Sequence, residues 1–452
     1  MSDLLIPRRF RETTVRAVND APLREALQRS MDVFITKRTA GVEGVPFEAY
    51  RDKASEVRLH VLDNLSDYVD QFSAAATKAG AVVYRAKDAE GARDTVLHVL
   101  RDRGVRTVVK AKSMVTEEIH LNSHLQTHGI QVWETDLGEY IVQLAGERPS
   151  HILAPAIHKT RQQIGRLFAE KLGVPYSEDP KVLTRIARRA LREVFLSADA
   201  GISGANFAVA HTGSLVIFTN EGNGRMVTTL PRLHVAVLSM EKMIPTLEDL
   251  VTFVRLLPRS ASGQALSSYV SIITGTRKAS EATGAREVHI VILDNGRSQI
   301  LQGPYREILK CIRCSACINV CPVYRVIGGH AYGATYSGPM GIVLTTLLEG
   351  MNTVHPLLDA TTLCGACADV CPVRVPLVHL LRSLRERRVD EGYLPNLEKA
   401  AMHGFGLATS HPALYGFAQG ALRSLWPLLK SLGRDAKIER LPPPAARPLS
   451  KR

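Results

Sequence analysis

The chain carries seven cysteines in 452 residues, and all of them fall between positions 311 and 371. They form two runs, Cys311-Ile-Arg-Cys314-Ser-Ala-Cys317-Ile-Asn-Val-Cys321-Pro322 and Cys364-Gly-Ala-Cys367-Ala-Asp-Val-Cys371-Pro372. The first has the ferredoxin spacing C-x2-C-x2-C-x3-C-P, and the second repeats its last three cysteines and its proline. Cysteines three apart in a tight loop aim three thiolates at three corners of one cubane. The fourth sits too far along to close the same corner and, in two-cluster ferredoxins, ligates the other cluster, while the proline turns the chain away. On that analogy one 4Fe-4S cluster takes Cys311, Cys314, Cys317 and Cys371, and the other takes Cys364, Cys367 and Cys321.

The second cluster is then one ligand short, because Thr361 stands where the repeat would place its first cysteine. Three outcomes are open: a three-iron cluster, a four-iron cluster with an open or oxygen-ligated iron, or a ligand from elsewhere such as His355. Structural zinc needs only four ligands, which seven clustered cysteines exceed. Disulfides imply secretion, and residues 1–30 lack the apolar core of a signal peptide. Reduced thiols holding metal in the cytoplasm is the expectation.

Length and a composition of 45% hydrophobic and 22% charged residues suggest two to three globular domains. No stretch of 18 apolar residues occurs, so no transmembrane helix is expected. The net charge of +13 comes from scattered arginines with only 6% aromatic residues. That argues against nucleic-acid binding and for basic surfaces that meet acidic partners or anionic headgroups.

Residues 1–75 read as helices, with Leu23, Ala26, Leu27, Met31 and Phe34 in one segment and Val57, Val61, Leu62, Leu65 and Val69 in another at helical spacing. From 76 to 300, β-branched runs alternate with amphipathic helices. The runs are 81–84, 107–109, 131–133, 151–153, 207–209, 215–218, 234–237 and 288–293. The rhythm predicts an α/β domain with a largely parallel, doubly covered sheet. A cysteine domain at 301–390 follows, mainly helical and of ferredoxin type, then a basic helical region at 391–452 with a proline-rich tail. The glycines between the cysteine runs either admit backbone N–H groups to cluster sulfurs or break helices. The segment 413–432 could lie on a membrane surface, dock on a partner, or pack on its own core.

Polar stretches follow several predicted strands: Lys112 and Ser113 with Glu117; Glu134 to Tyr140; Thr212, Gly213 and Ser214; Asn220 and Glu221 with Arg225. In open α/β sheets ligands bind at the carboxyl ends of strands, so these are candidates for one cleft. Lys112 and Ser113 suit an anionic group, and Asn220 and Glu221 a hydroxyl or amide. Helix capping is the alternative use of the same residues. Neither a phosphate-cradling loop nor a dinucleotide fingerprint appears, so flavin or nicotinamide is unsupported by motif.

With these residues in view, the chain resembles the lactate-utilization protein B family, iron–sulfur proteins with a LUD domain. The markers are Lys112-Ser-Met-Val-Thr-Glu-Glu118, Glu134-Thr-Asp-Leu-Gly-Glu-Tyr140, Pro155-Ala-Ile-His-Lys159, Phe195-Leu-Ser-Ala-Asp199, Thr219-Asn-Glu-Gly-Asn-Gly-Arg-Met226, Leu256-Leu-Pro-Arg-Ser-Ala261 and Ile327-Gly-Gly-His-Ala-Tyr-Gly333. The resemblance implies a fold of the sugar-phosphate isomerase and CoA-transferase class. It also implies a role in oxidising L-lactate to pyruvate with two partners, a cysteine-rich subunit like those of heterodisulfide reductases and a second LUD-domain protein. This chain would be the electron relay. His211 departs from the family, which usually has glutamate before Thr-Gly-Ser. Two other functions remain: a catalytic 2-hydroxy-acid oxidoreductase with its ligand in the LUD cleft, and a non-enzymatic scaffold or sensor with structural clusters.

Overall fold

The computed structural model describes residues 9–394 and 396–432. Ten strands are present among them: β1 Val82–Ala86, β2 Thr107–Lys110, β3 Gln131–Glu134, β4 Ala200–Ser203, β5 Phe207–Val209, β6 Ser214–Thr219, β7 Leu233–Ser239, β8 Met243–Ile244, β9 Tyr269–Thr274 and β10 Glu287–Leu293. Six form one sheet in the order β1-β10-β7-β4-β2-β3. Every pairing in it is parallel. Successive side chains of a strand point to opposite faces, and here both faces are buried. Val108 packs with Val96, Leu100, Leu125 and Val235 on one side. Its neighbour Val109 packs with Tyr140, Phe168, Leu191 and Phe195 on the other.

The expected parallel, doubly covered sheet is therefore present, beside a second four-stranded sheet in the order β8-β5-β6-β9 that the periodicity did not suggest. Residues 151–153 are not a strand. His151 Nδ1 accepts the Leu153 and Ala154 amides at 3.0 and 3.1 Å, which takes the donors a ladder would use. Burial, then the charge of Lys112, pushes the His151 pKa down to about 3, which keeps the ring neutral and that nitrogen an acceptor.

The helices Phe10–Asn19, Ala21–Val42, Phe47–Asp63 and Leu65–Lys78 precede β1. Asp20 caps the second by accepting the Leu23 amide at 2.9 Å. Its Leu27 and Met31 are fully buried. One compact unit runs through Arg385 and contains these helices, both sheets and the cysteine segment. From Glu386 a second unit begins, containing the helices Asn396–Ser410 and Pro412–Leu432. Leu414, Phe417 and Leu425 on the latter are exposed. No helix among the described residues is long and apolar enough to cross a membrane. The proline-rich tail lies outside the described residues.

The stretch between the cysteine runs is fixed against the loop before Pro155. Tyr324 donates its hydroxyl to the Ser150 carbonyl at 2.6 Å, and His330 Nε2 lies 2.7 Å from the Arg148 carbonyl. A Cβ on Gly329 would sit 1.7 Å from the Ser150 oxygen. Gly329→Ala is therefore expected to lower stability by roughly 3 kcal/mol, the upper range for overpacking. Chemical denaturation of the two proteins checks it.

Candidate metal centre and adjoining cavity

Cys311, Cys314, Cys317 and Cys371 line one small pocket, closed by Ile312, Met340, Val373, Val375 and Leu377. Sixty residues of sequence separation between the outer members are thus folded onto one spot. Burial pushes the Cys314, Cys317 and Cys371 thiols up, and the neighbouring sulfurs push them further. Four thiols this close, Cys371 buried and the other three half-buried, are poor company without a metal to take their charge. Backbone amides already point at sulfur: Arg313 N donates to Cys311 Sγ at 3.4 Å and Val375 N to Cys371 Sγ at 3.3 Å. The donor set and these amides fit a cubane iron–sulfur cluster.

The other three cysteines form a second group. Burial, then the charges of Cys321 and Cys364, pushes Cys367 up to about 12. Cys364 is exposed, and the Ala366 amide lowers its pKa. Thr361, half-buried, accepts the Leu363 amide on its hydroxyl at 3.1 Å.

Cations crowd the first group. Arg58, 1% exposed, donates to the carbonyls of Lys310, Met243 and Leu309 at 3.1, 2.9 and 2.7 Å, and also to that of Glu241. Arg51 Nε donates to the Cys371 carbonyl at 3.0 Å. Glu241, fully buried at the end of β7, lies 3.1 Å from Arg313 and 2.7 Å from Arg297 Nε, which it meets as an ion pair outside hydrogen-bond geometry. Arg297 also holds Glu118 at 2.7 Å. Burial would raise the Glu241 pKa, but Arg297 and then Arg313 hold it at about 2. Lys242 is 5% exposed and has no hydrogen bond or ion pair among the described residues. Burial, then Arg313, pushes its pKa down to about 7.

A cavity of about 440 Å³ opens between the large sheet and the Cys314 loop. Its walls include Lys112, Ser113, Asn220 and Glu221, as well as Lys242, Arg313, Cys314 and Ser315. Asp136, from the Glu134–Tyr140 stretch, lines it too. The sequence thus brought five of its candidates to one place beside a cysteine, and the remaining candidates do not line it. Glu117 pairs with Lys110 at 3.0 Å, in a buried group with Glu134. Thr212, Gly213 and Ser214 form the turn between β5 and β6. Ser214 bonds Thr274, and a Cβ on Gly213 would sit 2.2 Å from the Ala76 nitrogen. Arg225 lies over the Tyr269 ring at 5.7 Å.

A LUD domain profile matches residues 69–293, and a 4Fe-4S dicluster domain profile matches residues 307–375. Lactate utilization protein B of Bacillus licheniformis is 44% identical over 96% of this chain and 91% of its own length. The chain belongs to the lactate utilization protein B family. The family protein of Lysinibacillus sphaericus is 46% identical over 91% of this chain and 87% of its own. That of Bacillus cereus is 46% identical over 92% and 88%. A crystal structure of a DUF162 family protein from Deinococcus radiodurans covers 51% of this chain at 14% identity and a TM-score of 0.29, too slight a likeness to add to the fold.

The structure adds residues that spacing alone does not single out. Glu241 and Lys242 follow a wholly buried strand, and charge at the carboxyl end of such a strand is the signal that marks them. Arg58 has no such signal. It sits in an amphipathic helix like any surface arginine, and only the fold buries it.

Proposed function

We propose that this chain is an iron–sulfur electron relay in the oxidation of L-lactate to pyruvate, holding two clusters and working with a cysteine-rich subunit and a second LUD-domain protein. The observation that carries the reading is the pocket shared by Cys311, Cys314, Cys317 and Cys371, beside a second thiol group that reaches the surface at Cys364. When bound, such clusters supply one-electron transfer. The chain's own residues supply thiolates, amide donors to sulfur, apolar walls that exclude water, and fixed positive charge around the buried group. Cys321 and Cys371 each cross to the other run's set, which would place the two clusters side by side. The exposed Cys364 would make the second cluster the port for a partner.

The test is low-temperature electron paramagnetic resonance of the anaerobically purified protein, with iron counted. L-Lactate is added with and without the two partners. Reduction of the clusters by lactate only in the presence of partners is the expected result. Zinc in place of iron, or clusters that no donor reduces, would sink the relay reading.

A second reading, a ligand in the cavity, is favoured by one observation. Lys112 Nζ, which has Glu139 as an ion-pair partner at 3.8 Å, Asn223 Oδ1 and Ser315 Oγ are buried with no hydrogen-bond partner, and all three residues line it. Buried polar groups are normally satisfied, and an organic acid bridging them would satisfy these. In this reading lactate reduces the clusters without partners. Lys112→Met is then expected to weaken pyruvate binding about tenfold or more, since one charge-assisted contact is worth roughly 1.5–3 kcal/mol. Calorimetric titration of the holoprotein checks it, with neutral lactamide as the control.

A further inference from the structure

The two cysteine runs are a repeat in three dimensions as well as in sequence. Cys314, Cys317 and Cys321 have counterparts 50 residues later in Cys364, Cys367 and Cys371, and the counterpart of Cys311 is Thr361. The backbone follows the same path in both. Arg313 and Ser315 are left-handed at φ 59° and 68°, and so are Leu363 and Gly365 at 55° and 93°. Left-handed backbone is unusual for arginine, serine and leucine, so its recurrence at matched positions reflects one shared loop shape. Each loop leads into a four-residue helix, Ala316–Asn319 or Ala366–Asp369. Ile318 N donates to Ser315 O at 2.9 Å, as Ala368 N does to Gly365 O at 2.9 Å. Cys321 N donates to Ile318 O at 3.1 Å, as Cys371 N does to Ala368 O at 3.2 Å.

The match extends to the one position where the sequences part. Arg313 N donates to Cys311 Sγ at 3.4 Å, and Leu363 N donates to Thr361 Oγ1 at 3.1 Å. The threonine hydroxyl therefore occupies the place of the missing thiolate, held by the same amide. The difference in length is that expected between a sulfur and an oxygen acceptor. Thr361 is half-buried and its neighbours Thr362 and Cys364 are exposed, so this corner is reached from solvent.

We propose that Thr361 makes the fourth corner of the second cluster an oxygen site, where one iron lacks a thiolate and exchanges small oxygen ligands: water, hydroxide or a carboxylate. A neutral hydroxyl is a hard and weak donor for cluster iron beside three soft thiolates. It orients the corner without closing it. The inference rests on the two-cluster reading but not on electron transfer to partners. It concerns Thr361, whereas the relay concerns where electrons come from.

The test uses the isolated, anaerobically purified protein, with Thr361→Cys and Thr361→Val beside it. Ferricyanide is the oxidant. Each four-iron cluster in the 2+ state that loses its labile iron releases one Fe²⁺ and gives one electron to ferricyanide, leaving a three-iron cluster in the 1+ state. Wild type and Thr361→Val are expected to lose about one iron per chain and to develop an oxidised three-iron resonance. Thr361→Cys is expected to keep its iron and show none. Citrate, as the carboxylate probe, should alter the dithionite-reduced resonance of wild type and leave that of Thr361→Cys unchanged. Iron retention by wild type under the same oxidation overturns the proposal. Equal iron loss from Thr361→Cys with its iron and visible absorption initially intact overturns it as well. Failure of lactate to reduce the clusters through partners would leave these outcomes untouched and speak only against the relay.

Discussion

Glu241→Gln is expected to destabilise the protein by several kcal/mol. Glu241 is fully buried and faces Arg297 at 2.7 Å and Arg313 at 3.1 Å. Arg297 opens the helix Arg297–Gln302 that follows β10 of the large sheet, and Arg313 comes from the first cysteine run, so this carboxylate joins the two. Removing its charge leaves Arg313 with like-charged Lys242 beside it. Breaking a buried pair by deleting one partner costs about 3–5 kcal/mol. The loss should appear as a lower denaturation midpoint and as incomplete iron loading, because Arg313 lies between Cys311 and Cys314. A pH dependence follows with a definite sign. The carboxylate pKa is held at about 2 against an ordinary 4.5, so its stabilising effect is present above pH 4.5 and is lost as pH falls toward 2. The shift corresponds to roughly 3 kcal/mol. In Glu241→Gln that part of the acid sensitivity should be missing. Equal denaturation midpoints for the two proteins at pH 7 would show that the pair adds nothing net.

How far the sequence could foresee this arrangement depended on the range of the signal. Cysteine spacing is local, and two C-x2-C runs with C-P endings prescribe their loops within a dozen residues each. The strand rhythm is also local, and it placed seven of the strands. It missed three, β4, β8 and β9: β8 is only two residues long, and β4's Ala-Gly-Ile-Ser has no β-branched run. There Gly201 is needed because the Val227 carbonyl would lie 2.0 Å from a Cβ. It misread 151–153 because β propensity cannot see that His151 will take two of the backbone donors for itself. Of the polar loops, Lys112 and Asn220 were legible as cleft residues because strand ends converge in an α/β sheet. Thr212 to Ser214 looked the same in sequence, yet close packing on Ala76 uses that turn. The charged shell was the least legible part. Arg51 and Arg58 are read as solvated faces of a helix until the cysteine segment, more than 250 residues on, covers them.

That shell sets the second large expectation, a change in reduction potential. Arg58, Arg313 and Lys242 all act on Cys311 electrostatically, and Arg38 and Arg51 act on Cys314 and Cys371. Positive charge favours the reduced, more negative form of a cluster, so these cations raise its potential. The cysteine group around Cys364 lacks that shell and has Asp369 beside it instead, so a change in these cations should act on the Cys311 group alone. Lys242→Met probes this with the least collateral damage, because Lys242 holds no carbonyl or carboxylate that would be left unpaired and methionine fills a similar volume. One charge at an assumed distance of ~8 Å and an effective dielectric of about 20 is worth on the order of 2 kcal/mol. For one electron that is roughly 90 mV. A redox titration at pH 6, where Lys242 with its pKa of about 7 is protonated, should find one midpoint lowered by about that amount and any other moved much less. An equal shift of every midpoint would mean that the lysine acts on the protein as a whole, and unchanged midpoints would remove the cationic shell as a control on the potential.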